Sequence, residues 1–323
     1  MRTAILLAAV LLCAAVAHGQ AWVAPMRVVR QNYNDTNGPN QGAISRFGDS
    51  ITVSMAFFSP LQWGHSNTTS ASQAALSWIQ SWNTAASWTW QQDAIAAQHG
   101  SWGGTTSAWP LESAAGWAGA QAGERKVDYW LRNDNPEMAV IMFGTNDLNA
   151  GLTKATYKAN LLSVVQACTA NGTIPILTTI PPRHGYDNGS GANLQRATDY
   201  YDAVHELATT YNLPLIEYHD ECTTRNPHNP PTSSWDGADA MWSGYSGYEV
   251  PTSISTDGVH PSNYSLGRSN FSETGLDVNG FNLRNYVTLM GSKEVYDKVI
   301  VPEPASMALL ALGATALLRR RRR

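Results

Sequence analysis

Short apolar runs alternate with stretches of helical spacing through the middle of the chain. Apolar side chains recur every three or four residues in the series Leu194, Ala197, Tyr201, Val204 and Leu207, which predicts an amphipathic helix. A last helix is predicted over residues 281–296. Four apolar runs have the length of buried strands, and they occupy residues 43–47, 138–143, 174–180 and 215–218. This alternation predicts an α/β domain with a central parallel sheet.

Two stretches interrupt the alternation. Residues 59–117 hold eight of the twelve tryptophans among Ser, Thr, Ala and Gly, and residues 223–256 are rich in Pro, Gly, Ser and aromatic side chains. Both are predicted to be loop-like insertions, and loops at strand ends of α/β sheets are where substrates bind. The tryptophans either pack the insertion, as large aromatic residues commonly do, or form flat apolar walls for sugar rings.

Both ends of the chain have the character of targeting segments. Arg2, an apolar run over residues 5–16 and the small-x-small sequence at 17–19 predict a secretory signal over residues 1–19 that signal peptidase removes. At the other end, residues 305–318 are mostly apolar and precede five arginines. This run is shorter than the ~20 residues of a comfortable membrane span, so it predicts a weak or transient anchor.

Composition bounds the function further. The chain has 323 residues, of which 43% are hydrophobic and 14% charged, enough to bury the core of one domain over about residues 20–300. The formal charge of −4 includes Arg2 and the arginines at 319–323, so the body between the two targeting segments is more acidic still. A phosphate backbone would be repelled, and nucleic acid is not an expected partner.

Two cysteines remain once Cys13, inside the predicted signal, is set aside. A pair in an exported protein usually suggests a disulfide. However, Cys168 falls at the end of a helix that leads into a strand, whereas Cys222 falls just past the next strand, at the opposite edge of the sheet. A strand of five residues spans roughly 17 Å, beyond the Cα separation that a disulfide allows. We therefore predict two free thiols.

Three motifs contain residue types suited to acyl transfer. In the first, Gly48 allows a tight strand-to-helix turn that exposes Ser50 as a nucleophile, although a serine that only caps the helix is the alternative. In the second, Asn146 follows the strand at 138–143, where its amide can donate to an oxyanion or cap a helix. In the third, Asp257 precedes His260 by three residues and can orient its imidazole, although a surface Asp-His pair is the alternative.

Gly-Asp-Ser near the start, Gly-x-Asn-Asp in the middle and Asp-x-x-His-Pro near the end resemble three blocks of the SGNH (GDSL-like) hydrolase superfamily. The resemblance covers roughly residues 42–295. It implies a flavodoxin-like three-layer α/β/α sandwich and ester hydrolysis through an acyl-serine. It also implies Ser50, Asp257 and His260 as the catalytic triad, with Ser50 and Asn146 as oxyanion donors.

One block of that family departs from its pattern here. The family's second block supplies a glycine N–H to the oxyanion hole, but no Asn-x-Gly-x-Ser-Gly string is present. Gly116, which lies 30 residues before Asn146, has the most suitable position, and Gly119 and Gly104 are the rivals. No metal or cofactor is expected, because His219 beside Asp220 and Glu221 has no second His or Cys at ligand spacing.

The C-terminal order of Pro-Glu-Pro, short apolar run and arginine cluster over residues 301–323 resembles the PEP-CTERM sorting signal of Gram-negative bacteria. That resemblance implies an exosortase partner, transient anchoring in the inner membrane and a final place at the cell surface or in the extracellular matrix. An ordinary single anchor is the alternative.

Together these features predict an exported ester hydrolase, whose substrate could be an acylated carbohydrate that it deacetylates. Two other function classes stay open. One is a surface carbohydrate-binding or matrix protein without activity, and the other is an acyltransferase acting on a glycan.

Overall fold

The centre of the fold is a parallel sheet that the apolar runs form. The computed structural model describes residues 21–33, 43–82, 96–187, 190–225, 227–228, 250–251, 253–255, 257–263 and 268–301. Four strands pair in the order β1-β2-β3-β4, and they are β1 (Ile44–Gly48), β2 (Met138–Met142), β3 (Ile174–Thr178) and β4 (Leu215–Ile216). All neighbouring pairs are parallel. The predicted α/β class is confirmed, although β4 ends before Tyr218, which begins a helix instead.

A fifth strand position lies on the free side of β1, reduced to a single parallel bridge between Gly48 and Ser101. The backbone N–H of Gly48 donates to Gly100 at 3.0 Å, and that of Trp102 donates to Gly48 at 3.1 Å. With this bridge, the chain leaves β1 in one direction and then crosses to β2 on the other side. Such a reversal in strand order creates the crevice where ligands bind in open α/β sheets.

Helices cover both faces of the sheet, in the three layers that the resemblance implies. Because crossovers between parallel strands are right-handed, the reversal after β1 sends the first crossover to one face and the later ones to the opposite face. On one face pack α4 (Lys126–Asp134), α6 (Lys154–Asn171) and α7 (Ala192–Tyr211). On the other pack α1 (Val23–Gln31), α3 (Ser70–Trp82), α10 (Gly280–Val295) and the π-helical turn Tyr296–Ile300.

Shorter elements complete the described chain. They are the helices α2 (Ser50–Val53), α5 (Thr145–Ala150), α8 (Tyr218–Arg225) and α9 (Glu273–Asp277), with an antiparallel pair of β5 (Pro227–His228) and β6 (Val250–Pro251). Both α2 and α5 begin just beyond the carboxyl end of a strand. The amino-terminal ends of these two helices therefore lie at the same edge of the sheet.

The segment at 59–117 is not a loop throughout, so that prediction is wrong in part. Its helix α3 packs on α10. Its side chains Ala75, Leu76 and Ile79 are buried. Short 3₁₀ turns occupy Ser59–Gln62, Ala96–His99 and Trp109–Leu111. The many Ser and Ala residues of α3 obscured its apolar stripe, which is narrow because only one side meets the core.

The tryptophans of this segment that the structure describes include both buried and exposed side chains. Trp78 and Trp109 are buried, and Trp117 packs against the aromatic side chains of α4. Trp63 and Trp102 are instead 62% and 44% exposed. The structure does not describe the side chain of Trp82, nor residues Trp88 and Trp90.

The two predicted targeting segments lie outside the described residues, except for Val301, as does most of the stretch at 223–256. Among the helices that the structure describes, none combines the length and the apolar character needed to cross a membrane.

Cys168 and Cys222 are both buried and free, which confirms the prediction of two thiols. Burial raises the pKa of Cys168 well above its ordinary value and that of Cys222 to about 12, so neither forms a thiolate near neutral pH.

We expect the folded protein without residues 1–19 to react slowly with Ellman's reagent. After denaturation without a reductant it should titrate two thiols, whereas a 168–222 disulfide would give none until reduced.

Candidate active site

Ser50 is the first residue of α2, directly beyond β1. Asp49 caps this helix, because its Oδ1 accepts the backbone N–H of Ile51 at 3.0 Å. The turn is possible only with glycine at position 48, where an added Cβ would lie 2.1 Å from Thr52 Oγ1 and 2.6 Å from the Met142 carbonyl oxygen. Gly48 thus lets the strand pass into the helix and places Ser50 at the edge of the sheet.

The imidazole of His260 lies beside the hydroxyl of Ser50. Ser50 Oγ is 2.9 Å from His260 Nε2, and His260 Nδ1 is 2.6 Å from Asp257 Oδ2. Because Nδ1 faces a carboxylate, it carries the ring proton, which leaves the Nε2 lone pair to accept the proton of the Ser50 hydroxyl. The three side chains form a continuous hydrogen-bonded series.

The carboxylate of Asp257 is held in its ionised form. Burial alone would raise its pKa, but its Oδ1 accepts hydrogen bonds from Ser255 Oγ at 2.6 Å and from the backbone N–H groups of Val259 and His260 at 2.9 Å each. Together with the imidazole, these donors lower the pKa of Asp257 to about 2. The group is therefore an anion throughout the neutral range.

Asn146 lies on the first turn of α5, directly beyond β2. Its Nδ2 donates to the Thr105 carbonyl oxygen at 2.9 Å and is 3.4 Å from Asp49 Oδ2. Gly144, two residues before Asn146, has φ +137°, a backbone conformation that favours glycine. An added Cβ there would be 2.9 Å from Tyr157 Oη. Since β1 and β2 pair in parallel, the residues after them reach the same edge, and Asn146 comes next to the Ser50 turn.

The segment after the Ser101 bridge brings a glycine to Ser50. A Cβ added at Gly103 would be 3.9 Å from Ser50 Cβ. Its neighbour Gly104, one of the predicted rivals, has φ +76°, and the next residue, Thr105, is the acceptor for Asn146. Residues 103–105 therefore lie between the Ser50 turn and the start of α5.

The structure does not bring Gly116 to this place. Gly116 is exposed in a turn that a 2.8 Å backbone bond from Ala114 to Glu124 closes, and no atom lies within 4 Å of an added Cβ there. The same is true of an added Cβ at Gly119. The sequence prediction missed Gly103 because the strand that leads to it consists of one bridge, which leaves no apolar run to mark it.

A second buried carboxylate joins this segment to α5. Asp147 accepts the Ser107 hydroxyl and also its backbone N–H, at 2.9 Å to Oδ2. Ser107 Oγ in turn accepts Asn160 Nδ2 at 3.0 Å. Burial raises the pKa of Asp147, while the hydrogen bonds from Ser107 oppose that rise. The Asp that follows Asn146 in the motif thus has a structural use, which is to hold residues 105–107 against α5.

A buried arginine supports the Ser50 turn from below. Arg284 of α10 donates to the Ile51 carbonyl oxygen at 2.7 Å and to Thr52 Oγ1 at 3.0 Å, and its guanidinium lies 3.5 Å from the Phe57 ring centre. Burial lowers the pKa of Arg284 to about 10, so it stays cationic at neutral pH. Sequence reasoning did not find this residue, since nothing in the helical pattern of α10 distinguishes it from a surface arginine.

No group of three or more potential metal ligands occurs among His, Cys, Asp and Glu of the described ranges. His219, considered above for this role, instead pairs with Asp187 at 2.8 Å between Nε2 and Oδ1.

The capping carboxyl should make stability depend on pH. Burial raises the pKa of Asp49 to about 6, although the Ile51 N–H and the charge of Arg284 oppose that rise. Since the folded pKa exceeds the unfolded value near 3.9, Asp49 costs stability as pH rises from about 4 to 7. Asp49→Asn keeps the capping oxygen but cannot ionise. We expect wild type to lose at most about 3 kcal/mol relative to Asp49→Asn over this range in urea unfolding; a difference that does not change with pH would contradict the assignment.

The family model for the GDSL-like lipase/acylhydrolase family matches residues 47–264, and that for the PEP-CTERM protein-sorting motif matches residues 301–323. No curated protein sequence matches the chain.

Several solved structures are similar to this one. A GDSL-like lipase from Bacteroides thetaiotaomicron is 15% identical, covers 60% of this chain and 74% of its own, and has a TM-score of 0.38. A lipase/acylhydrolase from Enterococcus faecalis is 17% identical over 76% of this chain and 92% of its own, with a TM-score of 0.39. A variant of an acetyl-xylooligosaccharide esterase from Geobacillus is 16% identical over 77% and 93%, with a TM-score of 0.39.

The PEP-CTERM motif indicates export and surface sorting in a Gram-negative bacterium. The longer of the two family matches spans more than half of the chain and includes the serine, asparagine, aspartate and histidine described above. The chain therefore belongs to the GDSL-like lipase/acylhydrolase family.

Proposed function

We propose that this chain is an exported serine ester hydrolase that acts through an acyl-serine. The observation that carries the proposal is the hydrogen-bonded series from Ser50 through His260 to Asp257, in a chain of this family. Ser50 Oγ attacks the ester carbonyl carbon while His260 Nε2 takes its proton. The C–O bond then breaks, and His260 returns that proton to the departing alkoxide. Water next attacks the acyl-serine, giving a proton to His260 that passes back to Ser50.

Three N–H donors are proposed to stabilise the oxyanion of each tetrahedral intermediate. They are the backbone N–H groups of Ser50 and Gly103 and the side-chain amide of Asn146. We propose Gly103 in place of Gly116, because Gly103 is the glycine that packs against Ser50. The Asn146 amide has two hydrogens, of which Thr105 accepts one at 2.9 Å. The other makes only a long contact, 3.4 Å, with Asp49 Oδ2, which the oxyanion would replace.

An acylated carbohydrate is the substrate class that we propose, with deacetylation as the reaction. The support is Trp102, which is 44% exposed and directly precedes Gly103. An exposed indole, one residue from the glycine that contacts Ser50, offers a broad apolar surface on which a sugar ring can stack. The buried Trp78 and Trp109 cannot serve in this way, so among the described tryptophans of this segment only the exposed ones are candidates for the stacking role.

The proposed domain organisation follows the sequence prediction. A signal peptide at 1–19 directs export, a hydrolase domain occupies 20–300 with the Trp-rich insertion at about 59–117, and a sorting segment occupies 301–323. We propose that the sorting segment anchors the protein transiently in the inner membrane until an exosortase removes it, which leaves the domain at the cell surface or in the matrix.

Ser50→Ala tests whether the protein is an enzyme. We expect wild type to hydrolyse p-nitrophenyl acetate and the variant to lose up to about 10⁶-fold in kcat, because no other group replaces the nucleophile. Ser54→Ala is the matched control, since Ser54 follows the same helix and its hydroxyl only accepts the Ala56 backbone N–H at 3.2 Å. It should retain turnover.

Equal rates for wild type and Ser50→Ala would exclude the enzyme and leave a surface binding protein. The same assay with an added alcohol acceptor separates hydrolysis from transfer. Free acetate as the main product supports a hydrolase, whereas acetylated acceptor as the main product supports an acyltransferase.

Asn146→Ala tests the side-chain donor. Loss of one oxyanion donor costs roughly 10² to 10³ in kcat, and KM should change little because the donor acts on charge that develops only in the transition state. Asn171→Ala, at the far end of α6, removes a comparable amide that donates to Thr173 Oγ1 at 2.9 Å and to Asn135 Oδ1 at 3.4 Å. Similar kinetic losses in both variants would point to a general folding defect instead.

A further inference from the structure

The loop after β3 contains a buried arginine, Arg183, that donates hydrogen bonds to α5, the helix that carries Asn146. Arg183 is 8% exposed. Its Nη1 donates to the Thr145 carbonyl oxygen, and its Nη2 donates to Asn149 Oδ1 at 2.8 Å. Residues 145 and 149 are one turn apart on α5, so the planar guanidinium spans the first turn of that helix.

This contact holds the peptide unit that joins Thr145 to Asn146. The Thr145 carbonyl and the Asn146 N–H belong to one rigid plane, so a donor fixed on the carbonyl fixes the orientation of that plane. The helix α5 has only six residues, and the glycine before it has φ +137°. Such a short helix depends on outside contacts to keep its first turn in place.

The same loop also contacts the loop that carries Asp257 and His260. The backbone N–H of His184 donates to the Gly258 carbonyl oxygen at 2.9 Å, and Gly258 lies between Asp257 and His260. Adjacent residues, 183 and 184, therefore contact the oxyanion side and the imidazole side of the site.

Hydrogen bonds within the loop, and from the loop to α8 and α5, hold it in place. The backbone N–H of Arg183 donates to Asp187 Oδ2 at 2.6 Å, and Asp187 Oδ1 pairs with His219 Nε2 at 2.8 Å. The backbone N–H of Asp187 donates to the Arg183 carbonyl oxygen at 3.0 Å and closes the turn. Tyr186 adds a hydrogen bond from its hydroxyl to the Leu148 carbonyl oxygen at 3.1 Å.

We propose that Arg183 is a positioning residue for the oxyanion hole, which sets the Asn146 amide through the Thr145 peptide and the first turn of α5. This inference rests on the proposed function of Asn146. Its chemical reason is that catalysis depends on donors already aimed at the developing charge, so that a misplacement of about 1 Å costs on the order of 10² in rate.

A double-mutant cycle tests the proposal. Arg183→Ala should lower kcat for p-nitrophenyl acetate by about 10- to 100-fold with KM changed less than about 3-fold, because the amide is displaced but present. In the Asn146→Ala background the same substitution should cost less than about 3-fold, since no amide remains to be positioned. Equal fold losses in the two backgrounds would overturn the proposal, because a general structural role lowers activity with or without Asn146.

Two further variants sharpen the cycle. Arg196→Ala is the matched control, because Arg196 Nη1 also donates to α5, at 3.3 Å from the Leu148 carbonyl oxygen, but away from the first turn. It should stay within about 3-fold of wild type. Arg183→Lys keeps the charge but not the two-pronged contact, so it should also lose activity, and it serves if Arg183→Ala does not fold. A fully active Arg183→Lys would overturn positioning by the guanidinium fork.

An NMR measurement separates this inference from the proposed function. In protein labelled with ¹⁵N-asparagine, the Asn146 side-chain amide signal is assigned by its absence in Asn146→Ala. It should shift in Arg183→Ala and stay in place in Arg196→Ala. If wild type fails to turn over esters, the proposed function fails, but this signal still decides whether Arg183 positions the amide. An unmoved signal in Arg183→Ala would refute the inference.

Discussion

The site depends on the parallel register of β1 and β2. Gly48 pairs with Met142, so both strands end at the same edge, and the turns that follow them carry Ser50 and Asn146. The register has little freedom, because the Met142 carbonyl oxygen lies 2.6 Å from where a Cβ at position 48 would be. A shift by one residue would bring a larger residue against that carbonyl. Close backbone packing in the core thus fixes the separation of two groups at the surface.

The last helix, α10, holds the segment of the chain that follows β1 and α2. Besides the Arg284 contacts, Asn285 on α10 accepts the Phe58 backbone N–H at 2.7 Å and donates to the Ala56 carbonyl oxygen at 2.9 Å. These bonds satisfy backbone groups after α2 that would otherwise be buried without partners, at a cost of a few kcal/mol each. The segment that follows Ser50 therefore takes its shape from side chains more than 200 residues later.

Sequence patterns located the elements whose signals are local. The strand at 138–143 is an uninterrupted apolar run, and the motif residues Ser50, Asn146 and His260 are marked by neighbouring Gly, Asp or Pro. Gly103 has no such mark, because its strand is a single bridge. Arg183 and Arg284 could not be recognised either, since their roles arise from hydrogen bonds to backbone that is distant in sequence, and a residue's type does not encode such partners.

Ser50 and His260 are 210 positions apart along the chain, so they are not synthesised at the same time. At roughly 5 to 20 residues per second, the ribosome adds the imidazole about 10 to 40 seconds after the hydroxyl. During that interval Ser50 has no imidazole beside it, and α10, which contacts its turn through Arg284, does not yet exist. The hydrogen-bonded arrangement therefore forms only after His260 and α10 have been synthesised, and a polypeptide that ends before them contains Ser50 without these partners.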